Sequence, residues 1–213
     1  MTTPRRALIL VDVQQDYFGG GPLEIQYPPH AESLPQITRA IDAATAAGIP
    51  VVAVQHTAGE DAPVFNPTQP GFRLHPEVES RRTDEWKPVV KQYGTVFAGT
   101  DLLAWLRERE IDTITLVGYM TNNCVLASAA EAETHGLAAE VLSDATGAIN
   151  IANEAGFADA KTVHTTLLAL LNSNFAAVAG TATWSGAVAA SRPLPKSDLG
   201  ASAVTGAQRA AQA

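Results

Sequence analysis

The sequence predicts an α/β fold, a doubly wound, mostly parallel sheet of about six strands flanked by helices. Three observations carry that expectation. Short apolar runs alternate with stretches of helical periodicity from Ala7 to Val178. The first run, Ala7-Leu-Ile-Leu-Val11, is apolar without a break, as a strand covered on both faces of a parallel sheet must be. Ser33 to Ala47 then places Leu34, Ile37, Ile41 and Ala44 at helical spacing before the stop signal Gly48 and a second apolar run, Ile49 to Val54, which makes one strand-helix-strand crossover.

Between Thr57 and Glu85, Pro63, Pro67, Pro70, Gly71 and Pro76 break any long helix, and a loop of that length inside one domain is a candidate for function. A strand at Pro88 to Lys91 follows, then a helix from Thr100 to Glu110 with Leu102, Leu103 and Leu106 on one face. The remaining expected elements are a strand at Thr113 to Val117, a helix from Cys124 to His135 closed by Gly136, a short strand at Ala139 to Leu142, a helix near Asp159 to Leu171 and a last strand at Phe175 to Val178. Residues 1–190 therefore read as a single domain, and residues 191–213, rich in Pro, Ala, Ser and Gly, as a frayed tail.

Composition narrows the function. Lys plus Arg number 14 against 22 Asp plus Glu, a formal net charge of −8 that argues against nucleic acid and anionic membranes as partners. The one cysteine rules out an internal disulfide, and the N-terminus lacks the apolar block and small-residue cleavage site of a secretory signal, so a cytoplasmic location is expected. No stretch has the length and apolarity to cross a bilayer.

That cysteine, Cys124, sits where a strand hands over to a helix. In the first turn of a helix a thiol faces free N–H groups and the positive end of the dipole, which lower its pKa and suit a nucleophile. On spacing alone a buried core cysteine is an equal alternative. Asp12 closes the first strand and Lys91 the strand before the Leu-rich helix. Taken singly, Asp12 suits a turn and Lys91 a solvated strand end. Parallel strands all end at one sheet edge, however, and a carboxylate, an ammonium and a thiol converging there make a working set: the first takes the thiol proton and the second stabilises the charge.

Leu10-Val-Asp-Val-Gln-Gln-Asp-Tyr-Phe18, Lys91 with Thr95 and Phe97, and Gly118-Tyr-Met-Thr-Asn-Asn-Cys-Val125 together resemble the isochorismatase-like cysteine hydrolases, whose opening block reads Asp-x-Gln-x-Asp-Phe. The family includes nicotinamidases and N-carbamoylsarcosine, ureidoacrylate and biuret hydrolases. The resemblance implies Asp12, Lys91 and Cys124 as the catalytic triad, and a cis Tyr119–Met120 peptide that aims the Met120 N–H, beside that of Cys124, at a substrate carbonyl as an oxyanion hole. It implies hydrolysis of a small amide or ureido C–N bond through a thioester, and a homodimer or homotetramer. Gln14, Phe18, His56, Phe65 and Tyr119 are the candidate substrate contacts, and His164 is expected to support its own helix. Nicotinamidases of the family carry an Asp-x-His metal pair after the second strand; here that stretch is Val54-Gln-His-Thr-Ala-Gly, so neither a metal nor any other cofactor is expected. Gly19-Gly-Gly21 lacks the endings of a nucleotide loop. The alternatives are an isochorismatase-type vinyl ether hydrolase, disfavoured by Cys124 in its full motif, and a non-catalytic flavodoxin-like binding protein.

Overall fold

Eight strands fall into two sheets in a computed structural model that describes residues 3–212. In chain order they are β1 (Arg6–Val11), β2 (Val51–His56), β3 (Lys87–Lys91), β4 (Thr113–Tyr119), β5 (Ala138–Gly147), β6 (Ile151–Asn153), β7 (Gly156–Ala158) and β8 (Ala176–Ala179). The main sheet runs β3-β2-β1-β4-β5-β8 with every pair parallel, while β6 and β7 form a small antiparallel hairpin. The helices are α1 (His30–Ala46), α2 (Pro76–Glu79), α3 (Leu102–Glu108), α4 (Leu126–Ala132), α5 (Ala160–Leu170), α6 (Thr181–Ala189) and α7 (Leu199–Ala210).

Alternation along β1 builds two cores. Leu8 and Leu10 pack on one side with Ile37 and Ile41 of α1 and Trp184 of α6; Ala7, Ile9 and Val11 pack on the other with Leu102 and Leu106 of α3 and Ala129 and Ala132 of α4. Both faces of β1 are covered, which is why Ala7 to Val11 reads as an unbroken apolar run; the one polar residue of the strand, the buried Arg6 at its start, has its charge matched by Glu140.

The expected strands and helices of the main sheet are present with ends shifted by up to three residues: α1 starts at His30 rather than Ser33, and α4 ends at Ala132 rather than His135. Four features depart from expectation. β5 runs on to Gly147 instead of ending at Leu142, because its register against β4 shifts between Leu116 and Gly118 and pairing then resumes. The hairpin and α6 were not foreseen. Part of the segment expected to fray forms α7, capped by the Asp198 side chain, which accepts from the Ala201 N–H at 2.8 Å; none of its residues is buried. The chain leading to it is pinned from the core: the buried Arg6 guanidinium donates to the Arg192 carbonyl at 2.8 Å and to Glu140 at 2.7 Å, and Glu140 in turn accepts from Thr115 and from Trp184 of α6.

Candidate active site

The strand order reverses direction between β1 and β4, and in open parallel sheets it is over the C-terminal ends of the strands at such a point that ligands bind. Asp12 follows β1, Lys91 ends β3, and Cys124 lies in the turn after β4. All three are buried, at 0%, 1% and 3% exposure. The Lys91 Nζ stands 2.7 Å from Asp12 Oδ2 and donates to Cys124 Sγ at 3.2 Å and to the Tyr93 carbonyl at 3.1 Å. β3 lies two strands from β1, at about 4.8 Å per strand, and the long lysine stem covers that gap. The contact with Asp12 is chiefly Coulombic, since neither carboxylate oxygen has an aligned hydrogen-bond donor among the described residues.

Two backbone features bring these ends together. Asp12 has φ +50°, a left-handed conformation that Asp tolerates better than most residues and that often marks functional positions. Gly118, with φ +103°, lies so close to β1 that a Cβ there would stand 2.1 Å from the Val11 carbonyl oxygen. The Gly of the Gly-x-x-Thr-x-x-Cys block is thus a close-approach residue.

Cys124 lies in a single π-helical turn, Thr121–Val125, continued by α4. The Tyr119–Met120 peptide before it is cis. Burial pushes the Cys124 thiol up to about 12, the Asp12 charge adds to this, and Lys91 only partly opposes it. The lowered thiol pKa expected from the helix dipole is therefore corrected. A helix terminus contributes about 0.3–1 kcal/mol, less than the cost of placing a thiolate among buried groups next to a carboxylate. Burial likewise raises the Asp12 pKa, with the Lys91 ammonium pulling the other way. Cys124 is therefore held as the neutral thiol beside Asp12 and Lys91.

Neighbouring elements hold this turn. His164 on α5 donates through Nε2 to the Ser143 carbonyl at 3.0 Å, which leaves Nδ1 bare to accept from the Thr121 hydroxyl at 2.9 Å. His164 thus does more than support its own helix: it ties Thr121, the Thr of the Gly-x-x-Thr-x-x-Cys block, to β5. Ser128 donates to the Cys124 carbonyl at 2.6 Å and accepts from the Val96 N–H at 3.1 Å, joining the turn to the segment after Lys91.

His56 is the register neighbour of Lys91 on β2, and its Nδ1 lies 3.3 Å from the Lys91 Nζ. An ammonium only donates, so Nδ1 carries no proton and Nε2 does. Burial and the Lys91 charge lower the His56 pKa to about 4, consistent with that neutral tautomer. Gln14 is fully buried; its Oε1 accepts from the His56 N–H at 2.7 Å and its Nε2 donates to the His56 and Phe72 carbonyls at 3.0 and 2.9 Å. With its amide committed to backbone, Gln14 fixes His56 and the loop, which corrects its expected place as a substrate contact.

Phe65, at φ +52°, brings its ring 5.3 Å from His56 and 5.2 Å from Tyr17. Its N–H donates to Asp16 at 2.5 Å, and Gly71 makes room for that carboxylate, so the second Asp of the opening block latches the Thr57 to Glu85 loop over the site. Phe18 packs at 5.7 Å on Tyr119, whose hydroxyl is bonded to Ser33 at 2.9 Å and is thereby spent. Tyr17 was not singled out from the sequence, although its place after Asp16 in the opening block was the available signal. Among the described residues no three His, Cys, Asp or Glu side chains group so as to hold a metal ion. The position of the Asp of an Asp-x-His pair is the buried Val54, and the His56 Nδ1 faces an ammonium, so these residues do not fit a metal.

The architecture and the acid, ammonium and thiol grouped at its switch point define a parallel-sheet α/β protein with a cysteine-centred cluster. The chain belongs to the isochorismatase family: residues 6–183 match the Isochorismatase domain. It is 31% identical over 84% of its length to the uncharacterized isochorismatase family protein YddQ of Bacillus subtilis, of which the match covers 96%. A nicotinamidase/pyrazinamidase of Mycobacterium tuberculosis is 28% identical, with 68% of this chain and 88% of the relative covered. A solved structure from Burkholderia xenovorans LB400, assigned to the isochorismatases, superposes with a TM-score of 0.94 at 46% identity, covering 99% of this chain and 100% of the other. No helix among the described residues is long and apolar enough to cross a membrane.

Proposed function

We propose that the protein is a cysteine-dependent hydrolase that cleaves a small amide or ureido C–N bond through a thioester. The observation that carries this reading is the Lys91 ammonium set 2.7 Å from Asp12 and 3.2 Å from the Cys124 sulfur at a shared sheet edge. Family membership and the similarity to a nicotinamidase support amide chemistry.

Because the thiol rests protonated, attack and proton transfer are coupled: as the Cys124 Sγ bonds to the carbonyl carbon, its proton passes to Asp12. Lys91 holds the Asp12 carboxylate ready and offsets the charge that passes through the sulfur. The N–H groups of Met120 and Cys124 receive the developing oxyanion, a task in which one donor contributes about 3 kcal/mol. Asp12 then gives the proton to the departing nitrogen, the C–N bond breaks and a thioester remains. Water attacks this thioester while Asp12 takes one of its protons; the C–S bond breaks and the sulfur recovers the proton.

Ammonia release from nicotinamide, N-carbamoyl amino acids, biuret and aliphatic amides, with mass spectrometry of the quenched enzyme, tests the scheme. At least one substrate is expected to be turned over with an acyl adduct on Cys124, and Cys124→Ala should fold normally and release none. An active Cys124→Ala protein overturns the scheme.

A further inference from the structure

Resting on that reading, we infer that His164 is a positioning residue for the reaction: by accepting a hydrogen bond from the Thr121 hydroxyl at Nδ1, it holds in place the turn whose Met120 and Cys124 N–H groups receive the oxyanion.

Thr121 opens the π-helical turn, directly after Met120 and three residues before Cys124. The turn closes on itself, since the Met120 carbonyl accepts from the Asn123 and Val125 N–H groups at 3.1 and 3.2 Å, but those internal bonds do not fix its tilt against the sheet. Side chains do that. On the β3 side Ser128 bridges the Cys124 carbonyl to Val96, and on the α5 side the fully buried Thr121 sends its hydroxyl to His164 at 2.9 Å. The imidazole that receives it is itself held. Ser143 lies where β5 loses register with β4, between Val141 and Thr146, and past its last pair with β8, Leu142 with Ala179; its carbonyl accepts from the His164 Nε2 at 3.0 Å. The Tyr27 ring packs edge-on against the imidazole, with centroids 5.6 Å apart. With Nε2 committed to a carbonyl and burial lowering the pKa, Nδ1 stays an acceptor. His164 has no proton to move in the scheme above, yet its bond reaches the one turn whose placement decides the rate. A shift of about 1 Å in a reacting group can cost on the order of a hundredfold. The same shift changes ground-state binding far less, because the oxyanion exists only on the way to product.

The test uses Thr121→Val, which removes the hydroxyl at nearly equal volume, Thr121→Ser, which keeps it, His164→Leu, and the Thr121→Val/His164→Leu double variant. On whichever amide of the panel above is turned over, Thr121→Val should lower kcat about tenfold with KM within about twofold, and Thr121→Ser should restore it. His164→Leu should show the same loss and the double variant no further loss, because both act through one hydrogen bond. A second readout needs no turnover. The Cys124 sulfur adds to the carbonyl carbon of acetaldehyde and the thiol proton goes to the oxygen, giving a thiohemiacetal whose oxygen takes the oxyanion position. Carbon-13 NMR of labelled acetaldehyde reports this adduct, with Cys124→Ala as the blank. Its affinity should fall about tenfold in Thr121→Val and His164→Leu, while alkylation of Cys124 by iodoacetamide, which forms no oxyanion, should stay within about twofold of the wild-type rate. Adduct loss of this pattern with no hydrolysis of any amide by the wild type sustains the inference while removing the hydrolytic reading. If His164→Leu does not fold, Thr121→Val and Thr121→Ser decide. Wild-type kcat and adduct affinity in Thr121→Val, an equal loss in Thr121→Ser, a further loss in the double variant, or a wild type that forms no adduct overturns it. So does a parallel loss of alkylation, which would place the effect on the thiol instead of the N–H groups.

Discussion

Gly118 and Val11 are in backbone contact: a methyl group on Gly118 would meet the Val11 carbonyl oxygen at 2.1 Å, and its φ of +103° is closed to side-chain-bearing residues. This contact sets the distance between the ends of β1 and β4, and so between Asp12 and the turn that carries Cys124. Gly118→Ala must either push the strands apart or twist its own backbone. A loss of roughly 3 kcal/mol or more in urea unfolding is expected, with activity falling in whatever folded protein remains. A variant with wild-type stability would show that the strands separate at little cost.

The Asp12–Lys91 pair makes a prediction that separates folding from chemistry. Both side chains are 0% exposed, so Lys91→Met leaves a buried carboxylate without its counter-charge and should cost about 3–5 kcal/mol. Asp12→Asn combined with Lys91→Met removes both charges and should recover most of that stability, yet hydrolysis should stay absent because the proton acceptor is gone. Stability is read from urea midpoints and turnover from ammonia release. Recovery of turnover in the double variant would place the base elsewhere.

Three histidines set how the fold responds to acid. Burial lowers the pKa values of His56, to about 4, and of His75 and His164, all from an ordinary value of 6.5. Between pH 6.5 and 4 the unfolded chain binds protons that the folded protein does not. Stability is therefore present above that window and drains away as pH falls through it. The raised Asp12 pKa works in the opposite sense, since the folded carboxyl takes up a proton above the unfolded value of 3.8 and so favours folding as pH falls. Comparing urea midpoints at about pH 7.5 and about pH 5 should show a loss for the wild type, and His164→Gln should lessen it while being less stable at the higher pH. A midpoint unchanged between the two conditions, or a loss as large in the variant, would contradict this.

Much of the sheet was legible because its signals are local. From Ala7 to Val11 β1 is apolar on both faces, α1 has an apolar stripe and a glycine stop, and Asp159 caps α5 by accepting from the Thr162 N–H at 2.9 Å, three residues away. Asp12, Lys91 and Cys124 were legible as strand ends, because a parallel sheet converts that shared property into proximity. What stayed hidden depends on partners distant in sequence. The thiol pKa was misjudged because burial, which no local pattern reveals, outweighs the helix dipole. Gln14 resembled a substrate contact until its amide was found bound to the backbone of residues 42 and 58 positions away.

Helix α6 shows the same dependence and makes it measurable. Thr181-Ala-Thr-Trp-Ser-Gly-Ala-Val-Ala189 offers no amphipathic stripe, and Gly180, its N-cap position, has no side chain to supply a cap. The cap comes instead from Asp144 on β5, 37 residues earlier, whose Oδ1 accepts from the Thr181 N–H at 2.8 Å and from the Thr181 hydroxyl at 2.7 Å. A carboxylate there also complements the positive end of the helix. α6 carries the fully buried Trp184, so loosening its first turn disturbs the packing against α1 and the Glu140 network. Asp144→Ala should cost about 1–2 kcal/mol. Asp144→Asn keeps an acceptor oxygen but loses the charge, and should cost visibly less. Near-UV circular dichroism, sensitive to the Trp184 environment, should change in the alanine variant before global unfolding begins. Equal stability of both variants and the wild type would mean that α6 is held by the burial of Trp184 alone and that the distant cap contributes nothing.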